Sequence, residues 1–133
     1  MPEKISDTVY HGKVVRVDLQ NFSLGSVTSL DLANVDLSLK GFDGGFTDGR
    51  YAYLVPHQIS VMEYSGKLAR VDLTNFSTSG VEWLDLAAQD SNLKGFYGGF
   101  TDGRYGYLVP YFDGASSSGK IARIQFFSGV GAP

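Results

Sequence analysis

Residues 12–56 of this chain recur at residues 66–110 with a constant offset of 54 and identity at 31 of 45 aligned positions. A third copy covers only Gly119–Phe126. Repetition this close at a period near 50 residues means that one unit cannot bury its own apolar surface and must be covered by the next. The chain therefore reads as a single domain over residues 1–133, with a first repeat at about 12–65, a second at about 66–118 and a partial third at 119–133.

Each unit is written in strand language. Gly45-Phe46-Thr47 runs into Asp48-Gly49, a pair that favours the positive backbone angles of a tight hairpin, and Arg50–Val55 follows with aromatic and β-branched residues. Pro56 is expected to stop that strand. After a loop that differs between copies (57–65 and 111–118), Gly66–Leu73 alternates Leu68, Arg70 and Asp72 on one face with Ala69, Val71 and Leu73 on the other. Val81–Leu86 gives a fourth strand. No segment has helical spacing over a useful length, so the fold class is all-β.

Four short strands per 54 residues, joined by Gly-rich turns, match the blade of a β-propeller. The Thr-Asp-Gly-Arg-Tyr-x-Tyr-Leu-Val segment, followed by Gly-Lys-x-x-Arg-Val-Asp-Leu, resembles the kelch, YVTN and related bacterial β-propeller repeats. That resemblance implies four-stranded sheets set radially around a channel and carries no activity with it. With strands lettered a to d from the axis outward, the chain reads c-d-a-b-c-d-a-b-c. Two blades cannot close a ring, so the resemblance points to a homo-oligomer. Four to eight blades per ring allow a dimer, a trimer or a tetramer, and the trimer sits mid-range.

Closure would join a last blade lacking d to a first blade lacking a and b, by strand exchange. Gly12–Leu19 and Gly119–Phe126 then compete for one c position. Arg16 and Asp18 repeat Arg70 and Asp72, whereas Gln125 replaces the acid, so charge favours Gly12–Leu19 in that place.

Composition removes several classes. A net charge of -3 without a basic cluster argues against nucleic acid, and no apolar run reaches membrane-span length. The chain has no cysteine, hence no disulfide or thiolate chemistry. It reads as cytoplasmic, with secretion the alternative.

The candidate sites are few. Asp48-Gly49 and Asp102-Gly103 are read as structural turns rather than a calcium loop, because the spacing is not that of an EF-hand and Asp43 is Tyr97 in the other copy. His11 and His57 have no repeat partner and no second metal ligand, so both are read as loop residues, with no metal or cofactor expected. Phe46, Tyr51 and Tyr53, with Phe100, Tyr105 and Tyr107, recur once per unit and are expected to fill the wedge between blades. Trp83, Tyr97, Tyr111 and Phe112 are not repeated, and packing does not require them in both copies; they are the candidate ligand-binding residues. Arg16, Arg70 and Arg123 lie mid-strand and need acidic partners. Three functions follow in order. The first is a self-assembling scaffold or binding module. Next comes a lectin-like oligomer for sugars or peptides, and last an enzyme at the channel mouth, since identical copies do not supply an asymmetric catalytic group.

Overall fold

The computed structural model describes residues 9–125, and its regular structure is strand apart from four three-residue 3-10 turns. Strands β1 (Lys13–Val17) and β2 (Val27–Asp31) pair antiparallel as a two-stranded sheet. Then come β3 (Phe42–Thr47), β4 (Tyr51–Pro56), a small hairpin of β5 (Gln58–Ser60) and β6 (Glu63–Tyr64), β7 (Lys67–Asp72) and β8 (Val81–Asp85). Of these, β3-β4-β7-β8 form an antiparallel four-stranded sheet in that order. The chain ends, among the described residues, with β9 (Gly99–Thr101), β10 (Tyr105–Leu108) and β11 (Ala122–Gln125), a three-stranded sheet ordered β9-β10-β11. Phe126, the aromatic end of the third copy, lies outside the described residues.

The hairpin between β3 and β4 shows why its sequence repeats unchanged. Asp48 Oδ1 accepts from the amides of Arg50 and Tyr51 at 2.9 and 2.8 Å, and Thr47 Oγ1 accepts from the Gly49 amide at 3.0 Å. Gly49 has φ of 97°, in the left-handed region where a side chain is strained. Asp102, Thr101 and Gly103 repeat every one of these bonds, with φ of 96° at Gly103. Both pairs sit in the connections between antiparallel strands, β3 to β4 and β9 to β10.

Burial follows the strand period of two on both sides of the central sheet. Phe42, Leu54, Ala69 and Val71 face β1 and β2 and form one core with Leu30, Leu32 and Leu39. Tyr53, Val55 and Leu68 point the other way, into a second core with Leu108 and Ala122 of the last sheet and Leu86 and Phe96 of the segment between β8 and β9. Phe46 stacks on Tyr53 at 5.3 Å and Tyr51 meets Tyr53 edge-on at 6.3 Å, so these rings lie together on one side of the central sheet. Neighbouring sheets also touch at their first strands, where the Gly98 amide donates to the Asp43 carbonyl at 3.1 Å.

Some expectations are corrected. Pro56 is the last residue of β4 rather than the residue after it, because it lies where β3 pairs only at Phe42 beyond a bulge. The variable loop holds the β5-β6 hairpin. The acidic partner that Arg70 needs is Glu82 on the adjacent strand, at 2.6 Å, while Asp72 turns to Arg50 at 3.4 Å. Among the described residues no helix is long and apolar enough to cross a membrane.

Candidate functional site

Three of the four unrepeated aromatic residues meet at one end of the molecule. Tyr97 and Tyr111 lie with ring centroids 5.2 Å apart and are 58% and 55% exposed. Beneath them the His57 ring sits 6.0 Å from Tyr97 and 5.9 Å from Tyr111, and it is buried. Its Nδ1 is 2.7 Å from the Phe96 carbonyl; a carbonyl only accepts, so Nδ1 carries the proton. Tyr64 joins His57 to Phe112, edge-on at 5.7 and 5.2 Å. His57 lies in the connection between β4 and β5, as a loop residue, and its place directly after the buried end of β4 makes its ring the floor of an aromatic cluster.

The backbone fixes this cluster from both sides. Gly95 has φ of 70° and packs so tightly that a Cβ there would collide with the Phe112 carbonyl; the Phe112 amide donates back to the Gly95 carbonyl at 3.2 Å. The buried Asp113 carboxylate accepts from the amides of Ala115 and Ser116, each at 2.9 Å, and from Asn92 Nδ2 at 3.0 Å. The Ser116 and Ala115 amides lower its pKa below the ordinary carboxylate value. Rings held this way offer flat, half-wet faces with a phenol at the edge, which suit stacking on a sugar or on a peptide side chain.

Sequence comparison between copies had signalled Tyr97, Tyr111 and Phe112 but not His57 and Tyr64. The signal was present: His57 stands where the second copy has Tyr111, and Tyr64 stands where the first has Tyr10. Trp83 lies elsewhere, on β8 opposite Ala69, with Lys67 Nζ 4.6 Å from its ring centroid.

A second surface is formed by the unpaired end of the stack. Phe100 stacks on Tyr107 at 5.0 Å, as Phe46 does on Tyr53, and Arg123 lies 4.1 Å over Tyr105, as Arg70 lies 3.9 Å over Tyr51. In the interior Leu68 is buried and Phe46 and Arg70 are half-buried; here their counterparts Ile121, Phe100 and Arg123 face solvent. At the other end Val15, in the position of the fully buried Ala69, is half exposed. Between the β8 edge and β11 runs a groove of about 280 Å³ lined by Leu68, Glu82, Trp83, Leu84, Ile124 and Gln125, with Tyr53 and Arg70 at its base.

Charge in the two turns differs in consequence. Burial pushes Asp48 up, but the Tyr51 and Arg50 amides and the Tyr53 hydroxyl outweigh it and leave its pKa lowered. At Asp102 the Tyr105 and Arg104 amides and the Tyr107 hydroxyl bring the pKa down to about 2. Burial pushes Tyr53 up to about 12, with Asp48 adding to the rise and Arg70 opposing it. Among the described residues no group of three or more His, Cys, Asp or Glu is placed to hold a metal. No protein-family model, curated protein or solved structure matches the chain.

Proposed function

We propose that this chain is a self-associating module of a β-propeller, a scaffold whose two open faces are covered by further copies of itself. One observation carries the reading. Leu30 and Leu84 occupy the same position of the repeat, yet Leu30 is 7% exposed and Leu84 58%. The difference is what covers them: Val81 of β8 and the face of its sheet pack against the core that holds Leu30, and among the described residues nothing of the kind lies over Leu84. The same holds for Tyr53 and Tyr107, of which the first is buried and the second half-buried. The chain thus carries, inside itself, a template for what its ends accept. Apolar and aromatic surface of this extent is unusual on a monomer and fits a docking face.

With two blades per molecule, a ring of four to eight blades is a dimer, trimer or tetramer, and six blades makes the trimer. Light scattering on the purified chain tests this: a discrete species of two to four chains is expected, and a monodisperse monomer at micromolar concentration overturns it. The reading assigns no catalytic step.

The exposed Tyr97–Tyr111 pair favours one addition, that the assembly displays a carbohydrate- or peptide-binding surface at this point of each chain. Several shallow sites on one ring gain avidity without any being strong alone. A glycan array with the native chain and Tyr97→Ala/Tyr111→Ala tests it. Binding by the native chain that the variant loses is expected, and equal signals from both would remove the binding role while leaving the scaffold.

A further inference from the structure

Resting on that reading, we infer that assembly proceeds by donor-strand exchange: β11 of one molecule takes the place of β1 beside β2 of the next, and the displaced β1 is a placeholder. A ring has one c strand per blade, and β1 and β11 are both copies of that strand. One of the two must leave at every junction.

Packing decides which. In the central sheet the c strand β7 sends Ala69 and Val71 into one core and Leu68 into the other, all three essentially buried. β11 matches this on the side it already covers, with Ala122 buried and Ile124 packed against the second core. β1 is held much less: Val14 packs against the first core, while Val15 and Val17 face outward, and among the described residues it pairs with β2 alone. Were β1 to replace β11, Val15 would enter a place that holds alanine in both interior examples, Ala69 and Ala122. Two extra methyl groups in a close-packed core force their neighbours apart.

Charge leans the other way, and less heavily. Arg50 pairs with Asp72 at 3.4 Å, and β1 would bring Asp18 to the equivalent Arg104, where β11 offers Gln125. The Arg50 side chain is largely exposed, and an exposed pair of this kind contributes little. The core outweighs it.

The receiving site is present. β11 pairs β10 along one edge, and no strand pairs its other edge among the described residues. The groove beside that edge is where β8 would lie if the central sheet were the template. By the β7-β8 register, the partner's β2 would place Val27 opposite Ile124 and Leu30 opposite Ile121, with Val27 over the exposed Leu84.

Cysteine pairs test this in a chain that has none of its own. Val17 and Val27 are Cα partners in β1-β2, so Val17→Cys/Val27→Cys staples the placeholder in position. The oxidised staple is expected to run as a monomer in size exclusion and to regain the wild-type mass on reduction. An oxidised, stapled chain that still assembles to wild-type mass overturns the exchange but leaves self-association standing. A wild-type chain that is itself monomeric overturns both. Val27→Cys/Ile124→Cys is expected to give covalently joined chains on a non-reducing gel, and their absence in the assembled wild-type-sized fraction counts against the register. Should the cysteine variants fail to fold, truncations decide. Removing residues 119–133 should abolish the oligomer and removing residues 1–19 should preserve its mass; the reverse pattern means that β1, not β11, fills the shared position.

Discussion

At the scale of single residues, the turn built by Thr-Asp-Gly isolates the cost of a backbone angle from the cost of a clash. Gly103 has open space around its Cα but φ of 96°, so only the backbone resists a side chain. Gly103→Val is expected to cost about 1 kcal/mol or more and to lower Tm by several degrees, whereas Ser117→Val in the exposed loop should leave it nearly unchanged. Equal melting temperatures for the two would show that the turn is not a constraint. The two turns also set pH limits. Asp102 is lowered from 3.8 to about 2, so its stabilising contribution is complete above pH 3.8 and is lost as pH falls towards 2. Tyr53 is raised from 10.0 to about 12, so its contribution is complete below pH 10 and is lost as pH rises towards 12. Thermal melts should fall in both windows, and Tyr53→Phe should reduce the alkaline fall, leaving the part that comes from Tyr107, whose pKa its hydrogen bond to Asp102 also raises. The Asp-Gly signal was legible in sequence because local geometry alone demands it. The role of His57 was not, because its burial comes from Phe96, 39 positions away.

At the scale of strands, the sequence was a good guide to which segments pair and a poor one to which are covered. The four strands of a unit were placed within a few residues, since alternation and turn chemistry are local properties. Leu30 and Leu84, by contrast, are the same residue in the same strand of two near-identical copies, and only the stack distinguishes them. Leu30→Ala is expected to cost about 2–5 kcal/mol, and Leu84→Ala less than about 1 kcal/mol when measured by denaturation of dilute chain. If β2 of a neighbour closes over Leu84 as proposed, the penalty of the second variant should grow towards that of the first as concentration rises. Penalties that are equal in dilute solution would contradict the difference in burial. The short hairpin β5-β6 escaped notice because it lies in the one loop without a counterpart of the same length, and repetition was the signal being followed.

At the scale of the whole molecule, two sheet interfaces are made of corresponding residues, and among the described residues no further sheet covers the outer faces of the first and last sheets. Internal repetition thus does for this chain what symmetry does for an oligomer: each junction specifies the next. A junction joining the last sheet of one copy to the first of another is heterologous, and it yields a ring when the rotation per unit divides a full turn and a filament when it does not. Scattering at low angle separates these outcomes, with a fixed particle size expected for the ring and continuous growth with concentration for the filament. The groove beside β11 also has an optical consequence. Trp83, the single tryptophan of the chain, lines it and is partly open to water. Its emission should shift to shorter wavelength as an incoming strand dries the groove, so the native chain, unlabelled, reports its own assembly from dilution alone.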